Sequence, residues 1–510
     1  MSVKIIYQDI AAGADADAAV TAENTQPFSN PQFLPLGLEA APEIASLELN
    51  QWVLDGSKEI EDGQPVRYWS SDMSDGNGLF EAPPTIQIDF SHRYTSPGIY
   101  LHFDQQTGEY CSRVTIQWWR GISLLNEATF FPNGPDYFCG AIVEAYDALT
   151  IKLEATSIPY RYAKLSQIVF GVSRVFLRDE LRNVRITAEA SIISSEIAVN
   201  TLDFTLDSSE NVEYMFQLKQ PISAYDGDNL IGVFYMDDST HRAAGLYDVS
   251  CIDAIGVLDE DTFPAGMYTG YSARTLIEEI IGGHFELDMD ASVAASSVTG
   301  YLPPGTRREA LQQVAFAIGA VVDTSGTDKV RVYHHSGKTP ARFKRDRVYI
   351  NGTVGTSAIV TAVKVTAHTY SLEGEGSDTV EVDGKTYYHT TSVTAISNPK
   401  STASDKQNVI EVKNATLINP SNVFSAAQRL YNYYMLRQLQ KVQIVVEKER
   451  PADRVAMPTP WGTVINGYIT RMNLVLSGIT AADCEIVGTE VRTTGDPEAR
   501  YSGEFYAGEV

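Results

Sequence analysis

The chain has 510 residues, 44% of them hydrophobic, and its 65 Asp+Glu against 39 Lys+Arg give a formal net charge of −26. At roughly 150 residues per domain, this length predicts about three or four domains with real cores. The acidity argues against a protein that wraps or reads nucleic acid, which needs clustered Lys and Arg, and against docking on an anionic membrane.

Cys111, Cys139, Cys251 and Cys484 lie far apart with no C-x-x-C pattern, so neither a zinc site nor a disulfide framework is expected. Buried free thiols are the plainer reading, and a Cys111–Cys139 bridge is the alternative. No stretch approaches the roughly eighteen apolar residues of a membrane span. The run from Val3 to Tyr7 is too short for a secretory signal, and Asp9, Asp15 and Asp17 follow it. Synthesis in the cytoplasm is expected, with any exit by lysis or within a particle.

Residues 1–44 are expected to form an extended arm. The segment 11–20 is rich in Ala and Asp, and Pro27, Pro31 and Pro35 recur at a spacing that no helix interior tolerates. Phe28, Phe33, Leu34 and Leu36 are too many large apolar groups for a free tail, so the arm is expected to lie along a neighbouring surface. Residues 45–171 show short segments of period two at 85–90, 98–103, 114–118, 149–153 and 165–170. Gly-, Pro- and Asn-rich turns such as 75–78 and 131–135 separate them, which predicts an antiparallel β-sandwich.

Strands continue through 172–270. Over 196–206 the apolar residues Ile197, Val199, Leu202, Phe204 and Leu206 change phase near Asn200, as a β-bulge does at the corner of a small barrel. Residues 271–340 change character. Ser272 is placed to cap a helix bearing Leu276, Ile277, Ile280 and Ile281, stopped at Gly282. Thr306-Arg-Arg-Glu309 is a capping box for a second helix bearing Leu311, Val314, Ala315 and Ile318, ended at Gly319. Residues 341–495 return to strands, apart from one long helix predicted over 422–440 from Phe424, Ala427, Leu430, Tyr431, Tyr434 and Gln438. Residues 496–510 are polar and expected to be a loose tail. The fold class is mainly β with some α: a jelly-roll sandwich, then two small β-barrels (172–270 and 341–495) with a two-helix α/β module between them.

No nucleophile elbow, zincin, P-loop or dinucleotide fingerprint occurs, and no enzyme activity is expected. His334 and His335 are adjacent and point to opposite faces of a strand, so they are not expected to chelate one metal. A glycosidase pair could be drawn from the many acids, but nothing selects one. Asp288 and Asp290 lack the glycine and terminal glutamate of a calcium loop. No metal and no cofactor is therefore expected. Of Trp118 and Trp119 one is expected in the core, whereas Trp69 precedes a polar run and stands equally well at a loop mouth or inside.

The segments Arg67-Tyr-Trp-Ser-Ser-Asp72, Ile86-Gln-Ile-Asp-Phe90, Val114-Thr-Ile-Gln-Trp118 and 161–171 resemble galactose-binding-like, discoidin-type jelly rolls. The resemblance implies a domain that binds glycans, lipids or proteins, or serves as a spacer. Trp69, Asp72, Asp136, Tyr137 and Arg161 are the residues that would meet a cell-surface glycan. The segment 191–207, Ser191-Ile-Ile-Ser-Ser-Glu-Ile-Ala-Val-Asn-Thr-Leu-Asp-Phe-Thr-Leu-Asp207, is similar to the strand–bulge–strand signature of phage tail hub proteins, and Gly300-Tyr-Leu-Pro-Pro-Gly-Thr-Arg-Arg-Glu309 to the start of their α/β module. That resemblance covers 172–495. It implies a non-catalytic homotrimer at the distal end or baseplate of a phage or tailocin-like tail, whose two barrels per chain adapt a sixfold tail tube to a threefold tip or spike. The acidic composition suits a channel that passes DNA without holding it, so no stable nucleic-acid binding is expected. Tyr431, Tyr433 and Tyr434, spread over more than one helix face, are candidate subunit contacts. The alternatives are a host-surface carbohydrate-binding tail protein and a glycan-degrading tail enzyme.

Overall fold

The computed structural model describes residues 3–11, 13–27, 29, 31, 68–103, 108–207, 216–243, 245–335, 340–349, 352–374, 378–402, 404–476 and 480–491. The chain forms two compact units. One comprises Tyr7–Val175 with Val212–Gln220, the other Met1–Ile6, Phe176–Asn211 and Pro221–Val510.

The first unit holds the sandwich. Its six-stranded sheet runs in the order Ala19–Ala22, Thr85–His102, Asp136–Thr156, Cys111–Arg120, Ser123–Phe130, and Gln167–Val169 also pairs with Thr85–His102. Tyr68–Met73 pairs separately with Tyr162–Leu165. Alternation decides which face is inside: Ile86, Ile88, Val114, Ile116, Leu149, Ile151 and Leu153 are all fully buried in one core. Trp118 belongs to that core. Trp119 turns outward and donates from Nε1 to the Thr150 hydroxyl at 3.1 Å, as adjacent strand residues must. The segments 85–90 and 98–103 prove to be one strand, bent by register shifts between Asp89 and Gly98. At Gly98 (φ 153°) a Cβ would stand 2.3 Å from the Cys139 carbonyl oxygen, so only glycine lets the two strands approach there.

The expected arm is corrected over its described part. Val3–Ile10 is a strand with Val3, Ile5, Tyr7 and Asp9 buried in strict alternation. Ala19–Ala22 lies antiparallel to Thr85–His102. Period-two burial starting at Val3 outweighs the Ala/Asp-rich composition that follows it. Asp17 fastens this stretch by accepting from the Ser91 hydroxyl, the His92 amide (3.0 Å) and the Tyr94 hydroxyl (3.1 Å), bonds that hold its carboxyl down at about 2. Phe28, Phe33, Leu34 and Leu36 lie outside the described residues, as does the tail from 492.

The two barrel regions form neighbouring halves of one 13-stranded sheet, most of whose strands belong to the second unit. The strand path is Gly171–Leu177, Val3–Ile10, Pro221–Asp226, Asn229–Ala243, Leu246–Ile252, Thr201–Asp207, Leu181–Glu189, Val464–Leu476, Thr480–Val491, Gln438–Val445, Thr353–Thr356. Arg454–Pro458 adds to Val464–Leu476 and carries the short Ala341–Arg342. The join between halves is antiparallel, with Arg185 opposite Val475 and Glu189 opposite Arg471.

A separate α/β body surrounds a second core. The helix Ala273–Ile281 is capped by Ser272, whose hydroxyl accepts from the Thr275 amide at 3.4 Å. Arg307–Ile318 opens on the expected capping box, Glu309 N to Thr306 Oγ1 at 3.1 Å and Thr306 N to Glu309 Oε2 at 3.0 Å, and ends at Gly319 with φ 76°. This core also takes Val363, Val365, Ala367, Leu417, Ile418, Ala426 and Leu430. Residues from about 360 to 435 therefore pack with the module and not with the second barrel region. The helix near 422 runs Val423–Tyr434 and stops short of 440. From Gln438 the period changes to two, with Gln440, Val442 and Ile444 buried, and the segment becomes the strand Gln438–Val445. Residues 191–200 are irregular instead of a bulged strand, because Ile193 and Ile197 turn into the α/β core. Asn200 is buried at the end of that stretch. Its Oδ1 accepts from the Glu189 amide at 2.8 Å, and its Nδ2 donates to the Thr324 hydroxyl at 3.0 Å.

Candidate functional site

The large sheet has two chemically different faces. Inward along its strands lie Val184, Ile186, Ala188; Leu202, Phe204, Leu206; and Ile469, Met472, Leu474. The alternate residues are charged or hydroxylic and meet across strands. Arg182 pairs with Asp207, Arg242 with Asp248, Arg471 with Glu189 at 3.3 Å, and Lys441 with Glu485 at 2.6 Å. Ser250 donates to Asp203 at 2.7 Å and Thr205 to Asp248 at 2.8 Å. This face is thus balanced by ion pairs.

The sheet ends in strands paired on one side only among the described residues, Gly171–Leu177 at one end of the path and Thr353–Thr356 at the other. On the first, Val175 and Leu177 are 45% and 48% exposed. Proteins usually blunt a sheet edge with charge or proline. Here it carries apolar side chains.

The five residues proposed for glycan do not form one site. Trp69 faces inward at 8% exposure, stacked on Tyr162 with ring centroids 6.3 Å apart, and Lys164 Nζ stands 5.0 Å from its ring. Arg161 Nε donates to Glu109 at 2.7 Å, and Lys164 lies 3.5 Å from the same carboxylate. The cavity beside them is about 10 Å³, too small for a sugar ring. These three charged groups form an interior ion cluster, in which Glu109 and Lys164 are both buried. Asp72 is exposed on the outer part of the Tyr68–Met73 strand. Asp136 accepts from, or shares a proton with, His102 Nδ1 at 2.6 Å, and His102 stacks on Tyr100 at 4.7 Å. Tyr137, next to Asp136, packs against the sandwich core. Asp136 and Tyr137 therefore lie together beside a half-exposed histidine that was not among the sequence candidates.

Tyr431, Tyr433 and Tyr434 are half-buried against the core of their own unit, with Tyr433 edge-on to Tyr434 at 5.3 Å. Intramolecular packing claims all three, and Phe424, 65% exposed, is the outward aromatic of that helix.

Catalytic geometry is not assembled at the acid-rich places. Ser91, His92 and Asp17 touch, but Asp17 accepts from both neighbours, so the imidazole does not stand between nucleophile and acid. A cavity of about 280 Å³ in the second unit is lined by Asn200, Asp226, Asp253 and Thr324 among others. Its acids have structural partners. Asp226 accepts from Thr480, and Asp253 caps the helix Ala254–Asp259 by accepting from the Gly256 amide (3.1 Å) and the Thr324 hydroxyl (2.6 Å). Complete burial pushes the Asp253 carboxyl up to about 6 despite those bonds. His334 and His335 bond separate carbonyls, those of Ile318 and Ala452, each at 3.1 Å. Among the described residues no three His, Cys, Asp or Glu side chains are grouped to hold a metal ion. All four cysteines are buried free thiols, and burial pushes Cys484 up to about 12. No helix among the described residues is long and apolar enough to cross a membrane.

No family model matches the sequence, and no curated protein matches it. Among solved structures, the chain is similar to a tail protein from Neisseria meningitidis MC58, at 12% identity over 62% of this chain and 93% of that one, with a TM-score of 0.45. It is similar also to a prophage tail protein from Listeria monocytogenes EGD-e, at 10% identity over 66% and 96%, with a TM-score of 0.42. A third likeness is to discoidin II from Dictyostelium discoideum, at 10% identity over 48% and 90%, with a TM-score of 0.20. Tail proteins and a discoidin are the two classes that the sequence resemblance names. At these identities and TM-scores none of them assigns the chain to a family.

Proposed function

We propose that this chain is a non-catalytic structural protein of a phage or phage-like tail, three copies of which join through their large sheets into a ring. The observation that carries the reading is the pairing of Leu181–Glu189 with Val464–Leu476, which fuses two barrel regions into one sheet and leaves an edge strand at each end of the path. A sheet of this kind closes without waste when copies meet edge to edge in a closed cyclic arrangement. Six barrel halves from three chains match a sixfold tail tube on one side and a threefold tip or spike on the other. Distal tail or baseplate proteins are the partners this implies, with the virion or tail-like particle as the place of action. Electron microscopy of the isolated full chain tests it: threefold rings with a central opening are expected, and single particles without rotational symmetry would refute it.

The sandwich then serves for contact with protein or with a cell-surface glycan. Asp136, Tyr137 and His102 favour the glycan, because an accessible carboxylate beside aromatic rings can take sugar hydroxyls. Binding on a glycan array that is lost in Asp136→Ala and kept in Arg161→Lys supports that use. Silence of the wild type across wall polysaccharides would leave the protein-contact role.

A further inference from the structure

His368 and His389 stand on neighbouring strands, Ala362–Ser371 and Lys385–Ser397, with His368 Nδ1 2.9 Å from His389 Nε2. The rings are stacked 7° from parallel, and Tyr370 lies flat on His389 at 4.8 Å. His368 is 6% exposed, and its Nε2 is 2.9 Å from the Lys413 carbonyl oxygen.

The protons follow from this geometry. A carbonyl can only accept, so His368 Nε2 carries hydrogen, and a neutral His368 presents a bare Nδ1. His389 Nε2–H donates to it. One proton can be added at His389 Nδ1 without disturbing either bond. A second must go to His368 Nδ1, where it would set N–H against N–H across 2.9 Å and put two cations in contact.

The surroundings favour one charge and oppose two. Asp378 lies opposite His389 in the register of the adjoining strand Asp378–Val382. Tyr370 and Tyr301 face the stack as neutral phenols, with rings 5.8 Å apart, and Tyr387 precedes His389 by two on the same strand face. Lys413 offers only its carbonyl, since its ammonium pairs with Glu411 at 3.1 Å. Lys364 shares the face of His368, and no acid answers His368 itself. The helix Val423–Tyr434 packs in the core formed by Val363, Val365 and Ala367, on the other face of the strand. Burial and then the His389 charge hold the His368 imidazole below the usual histidine range, the Lys413 carbonyl opposing them.

We propose that His368 and His389 form a proton-limited clasp, which holds the two strands together with no more than one shared charge and releases them when a second proton binds. Because the fold disfavours protonated His368, the clasp is intact above the ordinary histidine range and weakens as pH falls below it. The clasp stands independently of the tail reading.

Hydrogen exchange of the full chain, followed by mass spectrometry at pH 7 and pH 5 with rates corrected for intrinsic exchange, tests it. Protection of 362–371 and 385–397 is expected to drop about tenfold or more at pH 5, while Cys111–Arg120 keeps its protection. His368→Gln keeps an acceptor for His389 Nε2–H and a donor for the Lys413 carbonyl but cannot take the second proton, so its protection is expected to be the same at both pH values. Equal protection of the wild type at both, or an equal drop everywhere, would overturn the clasp. Should His368→Gln fail to fold, imidazole NMR of the wild type decides. The His368 ring is expected to titrate below the ordinary histidine range, and a His368 step within that range would overturn the proposal.

Discussion

The sandwich and the large sheet are built on the same period-two alternation, yet they dispose of their polar residues in opposite ways. In the sandwich the conspicuous polar and aromatic residues turn inward: Glu109, Lys164 and Arg161 form an ion cluster, and Trp69 lies on Tyr162. In the large sheet the charges turn outward and pair across strands, leaving apolar Val175 and Leu177 on an edge. A residue type that suggests binding is therefore a poor guide inside a closed sandwich, where packing consumes it. The exposed apolar pair Val175 and Leu177 is a better guide, because packing does not consume it.

Five substitutions would break or sharpen this contrast. Trp118→Ala in the sandwich core, where the ring is fully buried, is expected to cost about 3–5 kcal/mol and to lower the denaturant midpoint of that unit alone. Asp253→Asn in the second unit is expected to stabilise it by up to ~3 kcal/mol at pH 7, since Asn still caps a helix and the buried charge is gone. The sign follows from a carboxyl pushed up from 3.8 to about 6: wild-type stability falls as pH rises through that window and levels above it, and the variant loses that slope. Thr306→Ala removes the cap of Arg307–Ile318 and is expected to cost about 1 kcal/mol by thermal unfolding. The double variant Val175→Lys with Leu177→Lys touches exposed positions only, so it is expected to change monomer stability by less than about 0.5 kcal/mol while altering assembly.

Local chemistry was legible in the sequence wherever a few neighbouring residues settle the matter. The caps at Ser272, Thr306 and Glu309, the stop at Gly319 and the alternation from Thr85 onward are of this kind. Elements settled by distant partners were not. The strand Val3–Ile10 is fixed by partners across the large sheet, and the join of Leu181–Glu189 to Val464–Leu476 connects residues nearly three hundred apart. The sequence predicts the helix after Asn422 too long because Tyr434 and Gln438 keep helical spacing while burial has already changed to alternate residues. Trp69 and Arg161 were read as ligand contacts because sequence cannot tell that Glu109 and Tyr162 wait for them inside. The turn at Asp383-Gly384 marks Asp378 and His389 as neighbours across a hairpin, whereas the pairing of Ala362–Ser371 with Lys385–Ser397 that brings His368 to His389 has no such local sign.

The central claim is that the ends of the large sheet, with Val175 and Leu177 exposed on one of them, join copies of this chain, and native mass spectrometry at micromolar concentration addresses it most directly. The account predicts a three-chain species for the wild type and a single chain for Val175→Lys with Leu177→Lys. A wild type that remains a single chain, or a double variant that assembles as well as the wild type, would contradict it.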